Sequence, residues 1–147
     1  MEIRMIVCDL DQTLLRSDKE VSAHTLEVLE RCRAAGIVIA VATARSESSA
    51  ARVIRAVRPD VAITSGGAVV RYGDEIVAEN LLGVDAANAM VARCLATEGV
   101  GYITYRTSLG YFVNREFDRN DVSWQDYENA QLADMNQKIE HNVQKFV

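Results

Sequence analysis

Val7-Cys8-Asp9-Leu10-Asp11-Gln12-Thr13-Leu14 is the stretch on which the reading of this 147-residue chain turns. The apolar run over residues 3–8 stops abruptly at Asp9, as a buried strand does where it reaches a polar edge. Asp9 and Asp11 are two residues apart. In a continuing strand their carboxylates would share one face and repel. The usual resolutions are a bound cation or strongly separated pKa values. Mg²⁺ suits such oxygen donors, taking one or two carboxylates together with phosphate and water. The plain alternative is a pair of solvated acids at a strand-to-loop junction.

Working outward, Ser22 is a candidate N-cap for a helix with Leu26, Leu29 and Cys32 on one face, and Gly36 follows at its C′ position. Residues 37–42 are apolar, rich in β-branched side chains and without polar alternation, which predicts a second buried strand. A second helix is expected over residues 47–57, closed by Pro59, and a third strand over 61–64, ending at Ser65-Gly66-Gly67. Strand–helix–strand–helix–strand with short connections predicts an α/β fold with a Rossmann-like parallel sheet. Ligands of such sheets bind beyond the carboxyl ends of the strands. Asp9, Thr43 and Thr64-Ser65 stand at those three ends. Beyond Gly67 the pattern shifts. Residues 68–72 and 75–78 flank Gly73-Asp74 as a hairpin. A helix is expected over 85–97, with Ala89, Ala92 and Leu95 as inward candidates. A second hairpin is expected over 102–105 and 111–114, and a last strand over 142–147. Residues 116–141 are polar and weakly patterned, and hold the single Trp, Trp124. The expected organisation is a core part over 1–80 and an α+β part over 81–147.

Hydrophobic residues make up 49% of the chain and charged residues 25%, the balance of a folded domain and not of a disordered one. The longest apolar run, 37–44, is too short to cross a bilayer, so no membrane partner is expected. The formal charge is −5, and neither half of the chain is basic, which makes nucleic acid a poor partner. Cys8, Cys32 and Cys94 are far apart and odd in number, and only His24 and His141 could add imidazole, so a zinc site is not expected. Buried thiols in a reducing cytoplasm are the simpler reading, with Cys8 facing away from Asp9. Arg52, Arg55 and Arg58 read as a solvated face, and both histidines as bystanders.

The whole stretch resembles the haloacid dehalogenase (HAD) superfamily of phosphotransferases. Asp9-Leu10-Asp11-Gln12-Thr13 matches its first motif, Asp-x-Asp-x-Thr, and Thr43 its second. Ala42-Thr43-Ala44-Arg45 and Thr64-Ser65-Gly66-Gly67-Ala68 look like the Ala-Thr-Gly-Arg and Ser-Asn-Gly-Ala segments of the Cof-type branch. The resemblance implies Asp9 as a nucleophile that forms an aspartyl-phosphate. It implies Asp11 as the acid that protonates the leaving oxygen and then the base that activates water. Mg²⁺ would sit on the Asp9 carboxylate and the Asp11 backbone carbonyl, offsetting the repulsion between nucleophile and substrate. The Thr43 hydroxyl and backbone N–H groups near Leu10 and Ala44 would bind phosphate. Arg45, Ser65 and Gly66 are further candidates for substrate contact. Three positions depart from the pattern: Gln12 and Ala44 replace glycines, and Gly66 replaces an asparagine. Gln12 is costly if the backbone there needs positive φ. The family's later Lys and acidic metal motif have no counterpart. Lys138 and Lys145 lie in the apparent cap, and Asp118-Arg119-Asn120-Asp121 has the wrong spacing. The chain is therefore expected to stop inside a partial cap that would close over the site.

The leading expectation is a Mg²⁺-dependent phosphatase of small phosphorylated metabolites such as sugar phosphates, with this chain a weakly active or inactive fragment. The alternatives are a phospho-accepting signalling domain, a non-enzymatic fragment of the fold, and a phosphomutase. Signalling receivers carry their acceptor Asp after the third strand, where Thr64-Ser65 stands here. An open edge on the first strand would invite self-association.

Overall fold

The computed structural model of the chain describes residues 2–116 and 130–147. Asp118-Arg119-Asn120-Asp121 and Trp124 lie outside the described residues. The chain divides into two compact units, Met1–Glu79 and Asn80–Val147.

The first unit is α/β. Strands β1 (Met5–Cys8), β2 (Val38–Ala42) and β3 (Val61–Thr64) run parallel in the order β1-β2-β3, joined through helices α1 (Ala23–Ala34) and α2 (Glu47–Val57). The expected hairpin, β4 (Val69–Tyr72) and β5 (Glu75–Glu79), does not stand apart. It continues the same sheet antiparallel to β3, so the sheet is mixed and not purely parallel. The reason is the short Ser65-Gly66-Gly67 turn, which reverses the chain directly onto the free edge of β3; a parallel neighbour would need a long crossover.

Both helices start where a serine caps them. The Ser22 hydroxyl accepts from the Thr25 N–H at 3.0 Å, and the Ser46 hydroxyl from the Ser49 N–H at 3.3 Å. Helix α1 ends in a Schellman arrangement at Gly36 (φ 80°), with Gly36 N–H on the Arg33 carbonyl and Ile37 N–H on that of Cys32. Leu29, Ile39, Val41, Ala50, Val53 and Val57 bring both helices and β2 into one apolar cluster with Leu10 and Leu15. Strand β1 corrects an expectation. It was to be buried, yet Met5 and Val7 are about half exposed because β1 is the edge of the sheet among the described residues. Cys8, for the same reason, is half-buried, as are Cys32 and Cys94.

The second unit packs helix α3 (Val84–Leu95) with a sheet in the order β8-β7-β6-β9, built from β6 (Thr104–Thr107), β7 (Gly110–Val113), β8 (Gln131–Leu132) and β9 (Lys145–Phe146). The inward face of α3 is Ala87 and Val91 with Cys94 beside them; Ala89, Ala92 and Leu95 are exposed. The spacing of three chosen from the sequence was the wrong phase of the right helix. The buried set follows the i, i+4, i+7 stripe, which stays on one face of a 3.6-residue turn. Asn88 ties this helix to the chain beyond it, donating to the Val84 and Ile139 carbonyls and accepting from the Ile139 N–H. Only Lys145–Phe146 of the expected last strand is paired as a strand.

Candidate active site

Asp9 ends β1, and the chain then makes one wide helical turn over Leu10–Leu14. Leu14 N–H donates to the Asp9 carbonyl (3.2 Å) and Leu15 N–H to that of Leu10 (2.8 Å), so each bond spans five residues. Such turns are rare and recur at functional sites. Leu10 and Leu15 enter the core, which leaves Asp9 exposed on the outer side. The conformation demanded of Gln12 is left-handed, φ 60° and ψ 9°, the case in which replacing glycine carries a cost.

The two acids do not share partners. Asp9 accepts one hydrogen bond among the described residues, from the Thr13 hydroxyl at 3.3 Å. Asp11 is gripped by Arg45, whose Nε and Nη2 reach its two carboxylate oxygens at 2.7 Å each. Lys19 Nζ lies 3.2 Å from Asp11 Oδ1. The Arg45 guanidinium, with the Lys19 ammonium beside it and burial opposing them, holds the Asp11 carboxyl at about 2, below the ordinary 3.8. The repulsion anticipated between neighbouring acids is thus relieved by two side-chain cations on the second acid.

The ends of β2 and β3 are stitched together. Thr43 is buried; its N–H donates to the Ile63 carbonyl and its Oγ1 accepts from the Arg45 N–H at 3.1 Å. Ser65 N–H donates to the Arg45 carbonyl (2.7 Å) and Gly66 N–H to the Thr43 carbonyl (3.2 Å). Ser65 (φ 53°), Gly66 (φ 69°) and Gly67 (φ 97°) are successively left-handed, which is what turns these N–H groups back toward β2. Thr64 Oγ1 and Ser65 Oγ are buried with no hydrogen-bond partner among the described residues. Ser65, a candidate for substrate contact, has its hydroxyl closed off from solvent here; it acts through its backbone, fixing Arg45. Gly66 and Ala44 are exposed, and Leu10 is buried.

The structure therefore links Asp11, Arg45, Thr43 and Ser65 by hydrogen bonds at the strand ends of the first unit, with Asp9 just past the end of β1, which pairs with β2. It adds Lys19, which the sequence reading passed over. A lysine eight residues past Asp11 carries no local signal; the turn that folds it back is what creates the contact. Among the described residues no three His, Cys, Asp or Glu side chains form a group able to hold a metal. The resemblance assigns a hard cation to the Asp9 carboxylate and the Asp11 backbone carbonyl. Such a set would suit Mg²⁺ completed by phosphate and water, and it leaves the Asp11 carboxylate to Arg45 and Lys19, which engage it here.

The model of the haloacid dehalogenase-like hydrolases matches residues 6–147. The chain belongs to that family. A comparison with curated proteins found no match. Among solved structures, BT1666 from Bacteroides thetaiotaomicron, described among the phosphatases of the HAD superfamily, is 27% identical (TM-score 0.66), the match covering 79% of this chain and 43% of that one. A haloacid dehalogenase-like hydrolase from the same organism matches at TM-score 0.75 and 18% identity, over 96% of this chain and 56% of its own. BT4131, a HAD subclass IIB sugar phosphatase, matches at 0.71 and 19%, over 92% and 55%. The last two share the fold. The chain spans about half the length of these structures.

Proposed function

We propose that this chain supplies the nucleophile of a Mg²⁺-dependent phosphatase of small phosphorylated metabolites. Sugar phosphates are the favoured class, since BT4131 is a sugar phosphatase. The observation that carries the reading is the placement of Asp9. It is exposed just past the end of β1, with its carboxylate nearly unpartnered, and β1 runs parallel to β2, which Thr43 follows. Asp9 would attack phosphorus and hold it as an aspartyl-phosphate. Bound Mg²⁺, on the Asp9 carboxylate and the Asp11 carbonyl, would supply charge neutralisation. Thr43 and the N–H groups of Leu10 and Ala44 would bind phosphate oxygens. Asp11, held ionised by Arg45, is in the form that takes a proton from water for hydrolysis of the intermediate; to protonate a leaving oxygen it must first acquire a proton. Residues 81–147 are read as part of a cap, and a cytoplasmic setting suits the three free cysteines.

One observation favours a second reading, a non-enzymatic domain of the same fold: the Asp11 carboxylate, which hydrolysis of the intermediate needs as a base, is occupied by Arg45 and Lys19. Hydrolysis of p-nitrophenyl phosphate at high protein concentration, with and without Mg²⁺, separates the two. The phosphatase reading expects Mg²⁺-dependent turnover that Asp9→Asn abolishes. Turnover unchanged in Asp9→Asn would exclude Asp9 as the nucleophile, and no turnover by the wild type would favour the second reading.

A further inference from the structure

Lys19 occupies a left-handed backbone position, φ 62°, which residues with a Cβ seldom adopt. Strain of this kind persists only where the surroundings over-determine it. Here they do. Lys19 N–H donates to the Arg16 carbonyl (2.9 Å), Arg16 N–H to the Glu20 carbonyl (3.0 Å), and Glu20 N–H to the Asp18 carboxylate (3.0 Å). Arg16 pairs with Asp18, and Arg52 of α2 pairs with Glu20, each at 2.5 Å. The result is a closed turn over residues 16–20 that delivers an ammonium to the site.

Two cations thus meet one carboxylate, and they are held differently. Arg45 is 18% exposed, makes two 2.7 Å bonds, and has its backbone fixed on both sides. Lys19 is 56% exposed and makes a single 3.2 Å contact. Arg45 by itself neutralises Asp11, so the Lys19 charge is surplus there. An exposed ion pair of this kind is weak and easily exchanged, and a phosphate group carries more negative charge than the single carboxylate it would replace. The ammonium is also a point charge on a flexible stem, able to swing without a fixed fork geometry.

We propose that Lys19 is a phosphate-binding residue: an arriving phosphoryl group takes the Lys19 ammonium from Asp11, while Arg45 keeps the carboxylate in place. The proposal rests on the phosphatase reading and names a residue outside the matched motifs. Binding of inorganic phosphate, measured by calorimetry in the presence of Mg²⁺, tests it without requiring turnover. Lys19→Asn tolerates left-handed backbone, and Lys19→Gly is a second neutral variant free of strain there. Both are expected to bind phosphate about tenfold more weakly than the wild type. Lys19→Arg should retain most of the affinity, and Arg31→Ala, an exposed cation on α1, should bind as the wild type does. Undiminished binding by the two neutral variants would overturn the role of Lys19 while leaving the phosphate site standing. An equal loss in Arg31→Ala would overturn it as a bulk-charge effect. Failure of the wild type to bind phosphate would refute the phosphate-site reading itself, and Lys19 with it.

Discussion

Removing the Arg45 guanidinium should release the Asp11 carboxyl. In the wild type that group sits at about 2 against an ordinary 3.8, first because Arg45 donates two hydrogen bonds to it, with burial opposing and Lys19 assisting. In Arg45→Ala the largest lowering contribution is gone and burial still opposes Lys19, so the carboxyl should titrate clearly above its wild-type value. A folded-state pKa below the unfolded one contributes stability above pH 3.8, and that stability is lost as the pH falls toward 2. The wild type should therefore lose stability more steeply than Arg45→Ala across that window. The Asp11 side chain is 38% exposed, so solvent screens the pair, and the stability change should be smaller than the shift alone suggests. Carbon-detected titration of the Asp11 carboxyl by NMR reads the shift directly, and acid-dependent urea midpoints read the stability. An Asp11 that titrates at 3.8 in the wild type, or one indifferent to Arg45→Ala, would refute the clamp.

Gln12→Gly relieves left-handed strain of about 1–2 kcal/mol but enlarges the unfolded ensemble by about 0.4–1 kcal/mol, so a net gain of roughly 0.5–1 kcal/mol is expected in urea denaturation. A loss of stability would show that the Gln12 side chain makes compensating contacts. The open edge of β1, with Ile3, Met5 and Val7 exposed, supports self-association of this chain as a further proposal. Sedimentation should show association that Val7→Lys diminishes; a monodisperse monomer at high concentration would count against it.

Much of the first unit is legible because its punctuation is local. Ser46 and Pro59 bracket α2 at the bounds the sequence suggests, and Gly36 marks the left-handed exit from α1. The motif acids stand where an apolar run stops. What escapes the sequence is set by tertiary context. Nothing around Ser65-Gly66-Gly67 says that the following hairpin joins the same sheet. The face of α3 was misjudged because alanines are spread around the helix and fit several phases equally well. Arg45 could be read as facing substrate, cap or solvent; its grip on Asp11 depends on the stitching of β2 to β3. Lys19 was silent because its strain and its contact arise only once the turn closes.

Among the described residues four non-glycine positions have positive φ: Gln12, Lys19, Arg58 and Ser65. Arg58 is the C-cap of α2, where left-handed backbone is an ordinary way to end a helix. The other three lie on the segments that build the site, and the core holds at least one of them there. At Gln12 the two flanking leucines decide the conformation. Leu10 is 0% exposed and Leu15 5%, and burying each contributes about 1.5–3 kcal/mol, more together than the strain of about 1–2 kcal/mol between them. A regular helical turn or a continued strand would point those leucines differently. The wide turn keeps both inward, and by doing so it leaves Asp9 facing out. The exposure of the candidate nucleophile is thus a consequence of hydrophobic packing one residue away.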